Sequence, residues 1–406
     1  MTDSYPPAPG GLERAVRVLS RELAARGHHV EVASLSRPGS PAFERAGGVV
    51  VRRFTGWTRH LRRFSTDPDH QFHPTVADPP LVRSLQGLVD ATRPDVVHAH
   101  GWILHSCLRL RLPPDAALVV SLHDYGLVCA KKTMTYLDDF DSRCAGPSPG
   151  GCLGCAGAFY GSVKGTALAL GLVLARRSWD RVAMFLPISA AVARACLPGV
   201  APDRIRVIPP PAADDAASPQ VPRPGFLPDG DFVLFVGALG EHKGVSLLLR
   251  AHQRMATPVP LVVIGPRRAD TPEFTGTAGR PVVVRDEVSH QQVMAAFAAA
   301  SVVAVPSRWP EPHGLVAVEA MASGTAVVAS RTGGLAEVVE HDVTGCLVEP
   351  GDADALAGAL DDLLADPARR RRMGAAGAVR ACRYQSAAVV PRVVEAYADA
   401  RALLGR

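Results

Sequence analysis

Long apolar runs are missing from this chain of 406 residues. None approaches the ~20 residues that a membrane-spanning helix needs. The longest, Ala167–Ala175 (ALALGLVLA), reads instead as a buried helix. Cysteine is scarce. Eight in the whole sequence are too few to frame a disulfide scaffold, which favours a cytoplasmic setting. The start is polar and proline-rich, without the apolar core of a secretory signal. No short-period repeat is visible. No P-loop occurs, and no nucleic-acid-binding motif with repeated basic and aromatic residues, so a nucleic-acid partner is not expected.

The residues that are present describe a globular chain, 47% hydrophobic and 20% charged. Glycine (37) and proline (35) are spread along it, as many α/β turns require, rather than gathered into a disordered tract. The net charge of +5 is uneven. Through Pro209 there are 25 Lys and Arg against 17 Asp and Glu; beyond it, 19 against 22. A basic first half points to an anionic partner on that side.

Strand-like and helix-like patterns alternate in both halves, which predicts two doubly wound α/β domains. A helix is expected from Gly11 to Arg26, with Leu12, Ala15, Val16, Leu19, Leu23 and Ala24 on one face and Gly27 as its stop. Strands are expected at His29–Ser34, Gly48–Phe54, Asp95–Ala99, Ala117–Leu122, Met184–Pro187 and Ile205–Ile208. The pattern restarts at Asp231–Val236 and continues through Leu261–Ile264, Val282–Val284, Ser301–Val305 and Thr325–Ala329. The domains are therefore placed at 1–209 and 229–385. A proline-rich linker at 210–228 joins them, and a final helix at 386–406 packs back on the first domain. Ligands of such sheets bind at the carboxyl ends of the strands, so two facing domains form a binding cleft. The opening MTDSYPPAPGG leads into the first helix without the central strand that this fold places before it. The expectation is a sequence that begins downstream of that strand, or a domain with one strand fewer.

Glu311 to Glu319 (EPHGLVAVE) is the most informative stretch. Strand, glycine turn and helix present a helix N-terminus to an anion. One acid sits in the turn and a second about two turns further along. Acids beside a phosphate site repel phosphates, yet they accept hydrogen bonds from sugar and ribose hydroxyls. The segment therefore asks for a ligand carrying both phosphate and polyols, such as a nucleotide sugar. After the first strand of the second half comes Phe235-Val-Gly-Ala-Leu-Gly-Glu-His-Lys-Gly244, whose glycines let backbone approach phosphates and whose Lys243 adds a charge. A glycine turn with a surface lysine is the plain alternative.

Three further groups stand out. His98 and His100 close a strand; they are expected to point to opposite faces, with His100 the candidate for a functional role and a core histidine the alternative. Cys129, Cys144, Cys152 and Cys155 are dense enough to hold a structural Zn²⁺ that pins a loop beside His123, against a reduced loop or a disulfide. Arg52–Phe64 (RRFTGWTRHLRRF) interleaves arginines with aromatics and suits peripheral contact with the inner face of a membrane, or an anionic acceptor. A solvated helix packed on its domain is the alternative.

Nearly end to end, the chain resembles the retaining glycosyltransferases of family 4, with the GT-B fold. The resemblance rests on PPAPGGLERAVRVLSRELAARGHHVEV, DVVHAHGW, SLHDY, PISAAVARACL, RIRVIP, FVGALGEHKG and VSHQQVMAAFAAASVVAVPSRWPEPHGLVAVEAMASGTAVVASRTGGLAEVVEHDVTGCLVEPGD. It implies a sugar moved from a nucleoside diphosphate to a hydroxyl acceptor (saccharide, lipid or small molecule) with retention and without a required metal. It implies that Glu311 holds the donor sugar, and that Gly237 and the backbone of His313, Gly314 and Leu315 lie beside that sugar or its phosphate. Glu319 would bind the ribose, Lys243 neutralise the diphosphate, and His123 lie near the donor sugar. Gly10 and Gly11 would form a loop near phosphate and acceptor. Three departures stand out. Ala238 replaces a usual arginine, a role left to Arg308 or another cation unless donor affinity is low; Pro210-Pro211 replace an Asn-Gly at the hinge; and His313 stands where an aromatic is common. A degenerate donor-binding protein and a nucleotide-sugar epimerase of the same fold are the rival readings.

Overall fold

Apolar runs alternating with amphipathic stretches give mainly parallel strand pairing in both halves of the computed structural model. It describes residues 1–7, 10–64, 73–137, 139–212, 222–286 and 288–405. The chain divides into two units, one of residues 1–137, 144–213 and 386–406, the other of 138–143 and 214–385.

In the first unit Phe43–Ala46 pairs antiparallel with Val49–Phe54, which pairs parallel with Val30–Leu35. Val96–His100, Ala117–Leu122 and Met184–Pro187 form a second parallel set. Met1–Asp3 lie between the two sets, where the sequence offers no strand. Thr2 bridges Ser34 on one side and His100 on the other, with Thr2 N–H donating to the Ala33 carbonyl at 2.9 Å and His100 N–H to the Met1 carbonyl at 2.9 Å. Three residues thus hold the central position and pair with the strands on both sides of it. The Ala117–Leu122 and Met184–Pro187 strands are almost wholly buried, as parallel strands covered on both faces must be.

Helix Gly11–Ala25 buries Ala15, Val16, Leu19 and Leu23 at helical spacing. Asp78 and Ser189 cap helices Pro79–Thr92 and Ala190–Cys196 by accepting a backbone N–H three residues on. Helix Ser386–Leu404 lays Val389, Val390, Val393 and Ala396 against Leu19, Ala117, Val119 and Met184 of the same unit.

Two expectations need correction. Ile205–Ile208 is no regular strand: Ile205 makes an isolated bridge to Phe185 and the N–H groups of Arg206 and Ile208 reach the Phe185 and Pro187 carbonyls, but the three prolines after Ile208 have no N–H with which to continue the pairing. Helix Ser162–Ala175 is buried on one face only; Leu170, Val173 and Leu174 are about half exposed, so an apolar run here is not a buried helix.

The second unit is one all-parallel sheet of six strands: Val282–Arg285, Leu261–Ile264, Val233–Val236, Val302–Val305, Val327–Ser330 and Gly345–Val348 in spatial order. In chain order that is third, second, first, fourth, fifth, sixth, the dinucleotide-binding arrangement, whose order reverses between the first and fourth strands. The Gly345–Val348 strand had no counterpart in the sequence reading. At the reversal the two loops touch. Gly244 has φ of +77°, and a Cβ on it would lie 1.9 Å from the Pro306 carbonyl oxygen. Gly244→Ala is therefore expected to cost about 1–3 kcal/mol, read as a lower midpoint in thermal denaturation. An unchanged midpoint would mean that the loops do not meet as described.

Candidate functional site

The reversal point of the second sheet gathers the strongest polar cluster. Lys243, in the turn Glu241–Lys243 after the first strand, places Nζ 2.9 and 2.8 Å from the two carboxylate oxygens of Glu311, in the loop after the fourth. Ser307 Oγ donates to Glu311 Oε2 at 2.9 Å and Trp309 Nε1 at 3.0 Å. Lys243 Nζ also lies 5.1 Å from the centre of the Trp309 ring, within cation–π range. Burial pushes the Glu311 carboxyl up, but the Lys243 charge and the hydrogen bonds from Lys243, Ser307 and Trp309 outweigh it and hold the group below its ordinary 4.5. Glu311 is thus held as an ion with oriented donors around it.

The loop between Glu311 and the next helix is fixed by backbone. Gly314 has φ of +100°, and a Cβ there would come within 2.5 Å of Leu335 Cδ2. Helix Leu315–Ala322 opens at once, its first backbone bonds running from Ala317 and Val318 N–H to the Gly314 carbonyl. The N–H groups before them point out of its N-terminus, as the first turn of any helix requires. His313 is buried, its ring edge-on to Tyr384 at 5.2 Å. Glu319 sits one turn into the helix, half-buried. Gly237 ends the first strand, its N–H donating to Ile264. Arg308 does not stand free in place of the arginine absent at Ala238: its Nη1 donates to Glu241 Oε2 at 3.1 Å.

The first unit gathers histidines at the ends of two neighbouring strands. His100 Nδ1 and His123 Nε2 share a hydrogen bond of 2.9 Å. His98 joins Tyr397 Oη at 2.7 Å and Ser121 Oγ at 2.8 Å. His98 and His100 do not point to opposite faces. Residues two apart in a strand share a face, and their rings lie 4.0 Å apart. Burial holds all three imidazoles neutral: His123 is pushed down to about 4, and His98 and His100 well below 6.5. Asp3 braces this end by accepting the N–H groups of Trp102 at 2.6 Å and Ile103 at 2.5 Å. Gly10 caps helix Gly11–Ala25, and a Cβ on it would collide with the Glu13 carboxylate.

The sequence reading missed Ser307, Trp309 and Asp3. The first two flank EPHG directly; Asp3 carried no signal. Among the described residues no three His, Cys, Asp or Glu side chains are gathered closely enough to hold a metal ion as they stand. In the basic segment, Arg52 pairs with Glu31 at 2.8 Å and buried Arg53 with Glu44 at 3.2 Å, so two of its arginines are already neutralised. The side chains of 61–64 lie outside the described residues. No described helix is long and apolar enough to cross a membrane.

Comparison with known proteins agrees on one family. Residues 9–215 match the model of Glycosyltransferase Family 4, and residues 220–380 that of Glycosyl transferases group 1. A D-inositol 3-phosphate glycosyltransferase of Acidothermus cellulolyticus is 30% identical over 97% of this chain and 86% of its own length. One from Xylanimonas cellulosilytica is 35% identical over 49% of this chain, and the match spans about half of that relative (52%). Among solved structures, sucrose-phosphate synthase of Thermosynechococcus elongatus superposes with a TM-score of 0.71 at 21% identity, covering 98% of this chain and 95% of that one. Anabaena HepE in complex with UDP-glucose gives 0.64 at 18%, covering 97% of each. These likenesses establish the fold: GT-B, two Rossmann-like domains.

Two measurements check the electrostatics. His123 is depressed to about 4 from 6.5, so its contribution to stability is complete above pH 6.5 and is lost as pH falls toward 4. Thermal denaturation is expected to show a lower midpoint at pH 5 than at pH 7, and a flat profile between them would contradict neutral burial. Lys243→Met removes the cation from a buried carboxylate and is expected to cost about 2–4 kcal/mol at neutral pH. Part of that loss should return in acid, where Glu311 protonates.

Proposed function

Because the chain belongs to glycosyltransferase family 4, we propose that it transfers a sugar from a nucleoside diphosphate to a hydroxyl acceptor, with retention of anomeric configuration. The observation that carries this reading is the Lys243–Glu311 pair at the reversal point of a dinucleotide-type sheet. That position suits a diphosphate beside Lys243 and the helix N-terminus at Gly314, and sugar hydroxyls on Glu311. Glu319 is assigned to the ribose, and Gly237 with the backbone of His313, Gly314 and Leu315 to the sugar phosphate.

In the proposed step the acceptor oxygen bonds to the anomeric carbon on the face that the diphosphate leaves. The bond from that carbon to the diphosphate oxygen breaks, and the acceptor proton passes to the leaving phosphate. Lys243 stabilises the charge that develops on the phosphate. Neutral His123 is assigned to a sugar hydroxyl, where it can donate or accept, and His100 fixes its tautomer through their shared bond. Gly10 and Gly11 are assigned to the acceptor side. The reaction as written requires no metal. The relatives named for D-inositol 3-phosphate make a phosphorylated cyclitol the first acceptor to try.

A second reading, a donor-binding chain without turnover, is favoured by one observation: Ala238 leaves a cation out, and Arg308 is committed to Glu241. Titration calorimetry with UDP, GDP and ADP, followed by turnover assays with the matching sugars, separates the two. The enzyme reading expects selective binding of one nucleotide and transfer from its sugar. It also expects Glu311→Gln to lower kcat at least about 100-fold, while the nucleotide still binds. Wild-type turnover in that variant would remove the role given to Glu311. Binding without turnover, restored by Ala238→Arg, would favour the second reading.

A further inference from the structure

Four of the eight cysteines meet in one place. Cys129, Cys144, Cys152 and Cys155 come from three stretches of the first unit, and all line one cavity of about 460 Å³ whose remaining wall is largely apolar, with Leu127, Met134, Leu172 and Trp179. None is in a disulfide. Cys152 and Cys155 lie three apart in helix Pro149–Tyr160 and so share a face. Ser148 N–H donates to Cys152 Sγ at 3.3 Å. Burial, and after it the three other thiols close by, push the Cys152 thiol up. The remaining cysteines, Cys107, Cys196, Cys346 and Cys382, take no part in this wall.

The segment around the cavity is poorly supported by its own composition. Helix Pro149–Tyr160 (PGGCLGCAGAFY) carries Gly150, Gly151, Gly154 and Gly157, each costing about 1 kcal/mol of helix stability relative to alanine. The apolar cluster beneath it is small, with Trp102, Ala130, Ala156, Leu168, Ala169 and Leu172 as its buried members. The helix lies close against Ser162–Ala175, where a Cβ on Gly165 would come 2.3 Å from the Ala156 backbone, and a crosslink through the cysteines would add to that packing. It matters for the site, because the same stretch carries Lys132, whose Nζ lies 3.7 Å from Asp124 and 4.3 Å from the centre of the Trp102 ring, one residue from His123.

We propose that the four thiols form a structural Zn²⁺ site that ties residues 129–155 to the first unit. Thiolates are the ligands that select zinc, and four of them complete its tetrahedron with no open position. The sulfurs are not yet gathered at bonding distance; the cavity gives them room to close, and the glycines let the backbone follow. Binding releases the thiol protons to solvent and leaves one cation among four sulfurs.

The full chain, expressed with zinc and purified anaerobically without a histidine tag, tests this by metal analysis. About one zinc per chain is expected, released in step as a mercurial titrates the thiols. Cys152→Ser and Cys155→Ser should lose it, and Cys107→Ser should keep it. If the serine variants fail to fold, cobalt substitution of the wild-type protein decides. Thiolate-to-cobalt charge-transfer bands support the site, and their absence overturns it. Protein with little zinc and freely titrating thiols, or with a disulfide among the four, also overturns it.

Discussion

A carboxylate almost wholly inside a protein persists as an ion only where donors surround it, and Glu311 imposes that requirement on everything near it. Lys243 must arrive from the loop after the first strand of its sheet, and Ser307 and Trp309 from the loop after the fourth. Those strands are neighbours only because the chain order reverses between them. The turn glycines follow from the same demand, since Gly244 lets one loop pass beneath the Pro306 carbonyl. Remove the charge pair and the glycines lose their reason; replace the glycines and the pair cannot form. The chemistry and the packing of this corner are one constraint.

The histidine group of the first unit solves the opposite problem. There burial is left to win, and the imidazoles remain neutral and bonded to one another, to Tyr397 and to Ser121. A neutral imidazole keeps one donor and one acceptor, which serves recognition of hydroxyls better than a fixed positive charge. Asp3 adds a carboxylate that is spent on backbone N–H groups and not on the histidines. The two units thus contain different polar centres, one ionic and one neutral.

How much of this was legible in the sequence depended on range. EPHG and its helix could be read locally, because strand, turn and helix follow one another within twenty residues. Lys243 was legible as a glycine-flanked cation, but its partner was not, since no short-range rule joins residues 243 and 311. The acids that neutralise Arg52 and Arg53 come from Glu31 and Glu44, so a stretch that looks uniformly basic is partly paired. Helix Ser162–Ala175 misled because a run of leucines and alanines has no polar stripe to mark its exposed side. The pair His98 and His100 was misread as pointing to opposite faces, although a period of two places both rings on one face.

The helix Ser386–Leu404 belongs to the first unit although it follows the whole of the second in the chain. Tyr397, which bonds His98, and Val389 and Val393, which cover the sheet, are made after the second unit. During synthesis the first unit therefore emerges first and is completed last. Its sheet keeps one apolar face uncovered while more than 170 residues of the second unit leave the ribosome. The second unit, made from one nearly continuous stretch, carries no such delay. The order in which the two halves mature is set by where one helix docks, and it runs opposite to the order in which they are written.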